Sequence, residues 1–188
     1  MVQEDALKPV IELLNTLKIP YMFVGAFAVN YYAVPRFTHD ADLVIHIALE
    51  HIESLCKPLE KHFYIDRDMI KEALTTIGQF NIIHHESGFK IDFWTVKNDE
   101  ISQVQFSRRI AGKIFGLDVY IITPEDLILT KLVWYKESGS QKHFIDAAGV
   151  FRMQNDTLAT DYLENYAGKM GIENLLERIK DQPLETSP

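Results

Sequence analysis

Two aspartates, Asp40 and Asp42, stand one residue apart at the head of an apolar stretch that runs to Ile47. Successive side chains on a strand point to opposite faces. Leu43, Ile45 and Ile47 are therefore expected on one face, with Asp40, Asp42, Val44 and His46 on the other. This places two carboxylates on the same side, roughly 7 Å apart along the backbone. Like charges that close repel unless a cation lies between them. Mg2+ suits that role, as a hard ion that takes carboxylate, water and phosphate oxygens octahedrally. Upstream, Tyr21-Met22-Phe23-Val24 reads as a short buried strand ending at Gly25, and Ala26 to Ala33 as a short helix ended by Pro35. A glycine where strand turns into helix lets backbone come close to a phosphate, and the helix start offers N–H donors.

A two-cation site calls for a third carboxylate, and Asp92 in Lys90-Ile91-Asp92-Phe93-Trp94 is the best placed. Ile91 and Phe93 should face the core and Asp92 the other way, and a lone acid in so apolar a strand calls for an explanation. Residue by residue, other accounts stand beside this one: Asp40 capping a strand, Asp42 paired with Arg36, Asp92 paired with a lysine. Asp-x-Asp alone is weak. The combination of a strand–Gly–helix turn, Arg-x-Thr-x-Asp-x-Asp and a later strand aspartate favours function.

Elsewhere, Leu7, Val10, Ile11, Leu14 and Leu17 recur at helical spacing and Pro20 stops that helix. Helices are expected over Leu49 to His62, Arg67 to Thr75 and, briefly, Ile101 to Arg108. Strands Phe80 to His85 and Phe89 to Val96 join at Glu86-Ser87-Gly88, and Ile110 to Phe115 and Leu117 to Ile122 form a hairpin around Gly116. Thr123-Pro124-Glu125-Asp126 is a helix start, with a Thr cap, Pro in the first turn and acids at the positive helix end. Helical pattern then continues, broken at Ser138-Gly139-Ser140. The expected class is α+β, a mixed sheet flanked by helices with a C-terminal helical segment. The core is expected over residues 1–122, a helical part packed on it over 123–182, and a frayed tail over 183–188.

Composition narrows the function. Nineteen Lys and Arg against 27 Asp and Glu give a net charge of −8, which disfavours non-specific nucleic-acid binding, since that relies on cationic side chains. One cysteine, Cys56, allows no intrachain disulfide and fits a reducing compartment. The acidic opening Met1-Val2-Gln3-Glu4-Asp5 lacks an apolar leader, and the apolar run Tyr21 to Val29 is too short to span a bilayer. A cytoplasmic protein with no membrane association is expected. His84 and His85 face opposite sides of a strand, and His39 and His46 are too far apart to pair. With no Cys-x-x-Cys or His-Glu-x-x-His either, no zinc site is expected. A P-loop is also lacking.

The block from Gly25-Ala26 through Asp42, with Asp92 downstream, resembles the nucleotidyltransferase fold of the DNA polymerase beta superfamily. More narrowly, it is similar to the minimal nucleotidyltransferases that include the AbiEii-type toxin group. A softer likeness extends through Thr123 to Ile128, Lys131 to Trp134 and on to Asp146. The resemblance implies that Asp40, Asp42 and Asp92 bind two Mg2+ (Mn2+ being the alternative), and that Asp92 helps deprotonate an acceptor hydroxyl. It implies that Gly25 and Ala26 hold the terminal phosphates of an NTP and that Lys131 contacts phosphate. Arg36 and Thr38 complete the expected nucleotide-binding set, although Arg36 is equally suited to locking Asp40 or Asp42. Asp146 is expected either to pair with Lys142 one turn earlier or to position Lys131 or the acceptor. The acceptor stays open among an RNA end, a protein and a small molecule, and a toxin-type enzyme would have an antitoxin partner. Ala26 stands where the family has Ser or Gly. A domain that binds nucleotide or a partner without catalysis, and a metal-dependent nuclease or phosphatase, are the alternatives.

Overall fold

The computed structural model describes residues 2–181, so the tail expected at the C-terminus lies outside the described residues. The chain forms two compact units. The first comprises the residues up to Phe27 together with Phe37–Ile122; the second comprises Ala28–Arg36 together with the chain from Thr123 onward.

The first unit is built on a mixed seven-stranded sheet, in the order β3-β4-β5-β2-β1-β7-β6. Its strands are β1 (Tyr21–Phe23), β2 (Asp40–Ile45), β3 (Phe63–Ile65), β4 (Gln79–His84), β5 (Lys90–Thr95), β6 (Ile110–Ile114) and β7 (Leu117–Ile121). The pairs β2–β5 and β1–β7 are parallel and the others antiparallel. Helices α1 (Val2–Thr16), α3 (Ile52–Leu59), α4 (Arg67–Thr76) and α5 (Glu100–Ser107) complete the unit. Helix α2 (Gly25–Tyr32) starts in the first unit and ends in the second.

The alternation read from the sequence sets the sheet's faces. Ala41, Leu43 and Ile45 of β2, Ile91 and Phe93 of β5, and Phe80 and Ile82 of β4 are all buried. Phe80 and Phe93 stack with centroids 4.9 Å apart. Helix α1 buries Ala6, Leu7, Val10, Ile11 and Leu14, the apolar stripe expected of it, and packs on α3 and β7. Such burial is the main source of stability, about 1.5–3 kcal/mol per large apolar side chain.

One stretch departs from expectation. Leu49 to His62 is not a single helix: a 3-10 turn over Leu49–His51 precedes α3, which ends at Leu59, and Phe63–Ile65 forms strand β3. Three residues are too few for an alternating pattern to stand out. β3 is an edge strand whose only ladder is with β4, so its position depends on a partner some twenty residues away.

The second unit contains α6 (Pro124–Ser138), α7 (Gln141–Gln154), α8 (Thr160–Met170) and α9 (Glu173–Lys180), besides the end of α2. The expected cap is formed: Asp126 N–H donates to Thr123 Oγ1 at 3.4 Å, and Thr123 Oγ1–H donates to Asp126 Oδ2 at 2.8 Å. Asp126 also accepts from the Tyr162 hydroxyl (2.6 Å) and Glu125 from the Ala159 N–H (3.0 Å), so the acids opening α6 also hold α8. Gly139, at φ 69°, ends α6 in the left-handed conformation that glycine adopts without strain. Among the described residues no helix is long and apolar enough to cross a membrane.

Candidate active site

Strands β2 and β5 run parallel in register, so Asp40 lies beside Lys90 and Asp42 beside Asp92. Their neighbours in sequence, Ala41, Ile91, Leu43 and Phe93, are buried on the opposite face. Adjacent strands are about 4.8 Å apart. The sheet thus sets Asp40, Asp42 and Asp92 on one face as a compact patch of negative charge. Asn81 of β4 flanks Asp92 on its other side.

The patch contains its own cation. Lys90 Nζ lies 2.7 Å from Asp92 Oδ2. The hydrogen bond to Asp92 raises the Lys90 ammonium's pKa. Burial opposes this, and the charges of Asp92, Asp40 and Asp42 add to it. Among the described residues no three His, Cys, Asp or Glu side chains converge tightly enough to hold a metal ion as they stand. Three like charges on one face spread unless a cation gathers them, and here Lys90 already bonds one.

Two local features set the aspartates. Thr38, buried in the connector before β2, donates from Oγ1 to Asp40 Oδ1 at 2.9 Å, and its carbonyl accepts from Gln3 Nε2 at 2.7 Å. Gly25 opens α2 at φ 59°, and a Cβ there would overlap the Asp42 carboxylate. The glycine is thus required twice, for its backbone angle and for the space Asp42 takes. Val24 N–H donates to the Asp42 carbonyl at 2.9 Å, fixing the approach. Ala26 follows, buried, in the first turn of α2. Gly25→Ala is therefore expected to keep the sheet but displace the Asp42 side chain. A divalent ion at this patch, as proposed below, would be held at least tenfold more weakly, and the left-handed backbone alone would cost about 1–2 kcal/mol of stability, before the overlap with Asp42 is relieved. Mn2+ titration and a thermal melt on the same preparation separate the two effects.

Arg36 and Lys131 meet in the second unit. Arg36 Nε and Nη2 donate to Asp146 Oδ1 and Oδ2 at 3.1 and 2.9 Å, and Lys131 Nζ reaches Asp146 Oδ2 at 2.9 Å. Lys131 and Asp146 are 3% and 5% exposed, so this is a buried ion cluster. Asn30 brackets the arginine by accepting from its N–H and donating to its carbonyl. Lys131 Nζ also lies 5.2 Å from the Trp134 ring centroid. Burial pushes the Asp146 carboxyl pKa up, but the Arg36 hydrogen bond and the Lys131 charge outweigh it and hold the pKa below the usual value. Asp146 takes the expected partner Lys131 and adds Arg36, in place of a pairing with Lys142. Arg36 is bound to this carboxylate rather than to Asp40 or Asp42.

Of the residues singled out in the sequence, the first unit brings together Asp40, Asp42, Asp92, Gly25, Ala26 and Thr38. The sequence also allowed Asp92 to pair with a lysine, and the structure supplies that partner in Lys90. Its signal was present, since a residue two positions before Asp92 must share its face.

No family model matches the sequence, and no curated protein matches it. Solved structures do match in fold. The antibiotic-resistance factor ANT(2'')-Ia aligns over 96% of this chain and 98% of its own, at 16% identity and TM-score 0.58. An antigenic nucleotidyltransferase-like protein from Paracoccidioides brasiliensis covers 95% and 92%, at 18% identity and TM-score 0.52. The lincosamide antibiotic adenylyltransferase LnuA, in its lincomycin-bound form, covers 78% and 95%, at 14% identity and TM-score 0.50. At these identities the likeness is one of fold: the chain has a nucleotidyltransferase-type α+β fold.

Proposed function

We propose that this protein is a nucleotidyltransferase that moves a nucleoside monophosphate from an NTP to a hydroxyl acceptor. The observation carrying this reading is the in-register pair Asp42–Asp92, with Asp40 one step along β2, set against the glycine that opens α2. Fold alone does not imply activity, whereas a carboxylate patch beside a helix start is suited to a polyphosphate with its counterion.

The donor set fits a divalent cation. It offers hard carboxylate oxygens, and Gly25 lacks the Cβ that would displace one of them. Asp40 and Asp42 would hold Mg2+, or Mn2+, whose charge neutralises the phosphate oxygens and the departing pyrophosphate. The remaining work belongs to the chain. Thr38 orients Asp40 through its hydroxyl. The Gly25 and Ala26 N–H groups, at the start of α2, bind terminal phosphate oxygens. Asp92 accepts the acceptor's proton at Oδ1, its Oδ2 being bonded to Lys90. The acceptor oxygen then forms its bond to the α-phosphorus as the bond to the bridging oxygen of pyrophosphate breaks. Arg36 and Lys131 act through Asp146 to hold the second unit's helices, a positioning role.

We assign the acceptor to small molecules bearing hydroxyls. The fold neighbours' described complexes are with lincomycin and with adenylyl-2''-tobramycin. The net charge of −8 also disfavours long RNA. The test supplies each α-labelled NTP with Mg2+ and, in turn, hydroxylated antibiotics, RNA and a protein extract. Label on a small molecule with release of pyrophosphate is the expected result. Label on RNA or protein would point to the toxin-type enzyme and an antitoxin partner. Nucleotide binding with no labelled product would identify a degenerate domain, and hydrolysis without incorporation a nuclease or phosphatase.

A further inference from the structure

Lys90 stands among the acids by construction. It lies on the same face of β5 as Asp92, two residues earlier, and beside Asp40 across the parallel ladder. A two-residue step on a strand is roughly 7 Å, a gap that a lysine's four-carbon stem and ammonium can close. The ammonium does close it, at 2.7 Å from Asp92 Oδ2.

We infer that Lys90 is the site's permanent second cation, so that the carboxylates take one divalent ion, on Asp40 and Asp42, instead of two. The inference rests on the nucleotidyl-transfer reading above and replaces the two-cation expectation drawn from the sequence. Three carboxylates and one ammonium leave the chain's own patch with two negative charges, which a single divalent ion balances before the polyphosphate adds its own. A second divalent ion would have to take Asp92 away from Lys90 and then sit against a like charge. One ion suffices for binding, because Mg2+ is commonly held by one or two carboxylates with substrate phosphates and water supplying the rest. Lys90 is 42% exposed and Asp92 14%, so the pair is partly screened by solvent, and the lysine holds Asp92 against a second divalent ion by its place on the same face.

The test counts ions in crystals of the full chain. Wild type, Lys90→Ala and Lys90→Ala/Asp92→Asn are each grown with Mn2+ and the α,β-methylene analogue of each NTP in turn, and Mn2+ is located by anomalous scattering. One Mn2+ per chain in wild type, two in Lys90→Ala with Asp92 a ligand of the second, and one again in the double variant are the expected results. Two Mn2+ in wild type, or one in Lys90→Ala, would overturn the inference and leave the nucleotidyl-transfer reading in place. No Mn2+ in any crystal holding an analogue would overturn both.

Discussion

Asp42→Asn is expected to lose nucleotidyl transfer by more than about a hundredfold while melting close to the wild-type temperature. The bound follows from the outer partners of metal ligands, whose loss alone costs about 10–100-fold, so a direct ligand should cost more. The fold should be unaffected because the amide keeps the carboxylate's volume against Gly25, where the packing is close. Single-turnover transfer and a thermal melt give both numbers. Wild-type transfer by Asp42→Asn would remove this residue from the mechanism, and a large drop in melting temperature would make its carboxylate structural.

Asp146→Ala is the substitution expected to harm the fold most. Removing one member of a buried ion pair costs about 3–5 kcal/mol, because the remaining charge stays out of water. The lower end applies: Arg36 is 30% exposed and can turn to solvent, whereas Lys131, 3% exposed, cannot. A loss of about 3 kcal/mol corresponds to roughly 6–12 °C in melting temperature for a chain of this size. Asp146→Asn keeps the shape, loses less and leaves a pH signature. The folded-state pKa of Asp146 lies below its unfolded value of about 3.9, so the wild type binds fewer protons at this site when folded. Its stabilisation is therefore complete above about pH 5 and falls away as pH drops through the unfolded and then the folded pKa. The gap between wild type and Asp146→Asn should be flat from pH 5 to 8 and narrow steadily as pH falls below about 4. A gap that does not narrow in acid would mean that Asp146 acts as a neutral hydrogen-bonding group.

The acid patch was legible because it depends on the shortest rule in the chain, the two-residue period of a strand. Asp40 and Asp42 face one way because Ala41, Leu43 and Ile45 must be buried, and the same holds for Asp92 between Ile91 and Phe93. The adjacency of β2 and β5 was not legible, since residues 46–89 separate them and no local pattern says which strands pair. Lys131 was one of the partners the sequence offered Asp146, but the addition of Arg36 was hidden for the same reason. That arginine is 110 positions from the aspartate, while the sequence offers Lys142 one turn away as a nearer candidate. Burial decided the matter: Asp146 lies on the inner side of α7 with Phe144, Ala147 and Val150, and Lys142 is exposed. The α6 cap, by contrast, sits within four consecutive residues and formed as written.

The central claim is that Asp40 and Asp42 bind a nucleotide through a divalent cation. Isothermal calorimetry of each NTP into wild type and the Asp40→Asn/Asp42→Asn double variant, with and without Mg2+, tests it most directly. Heat of binding for at least one NTP in wild type with Mg2+, little without Mg2+, and none in a folded double variant is the expected result. Binding that survives both the removal of Mg2+ and the loss of the two carboxylates would contradict it.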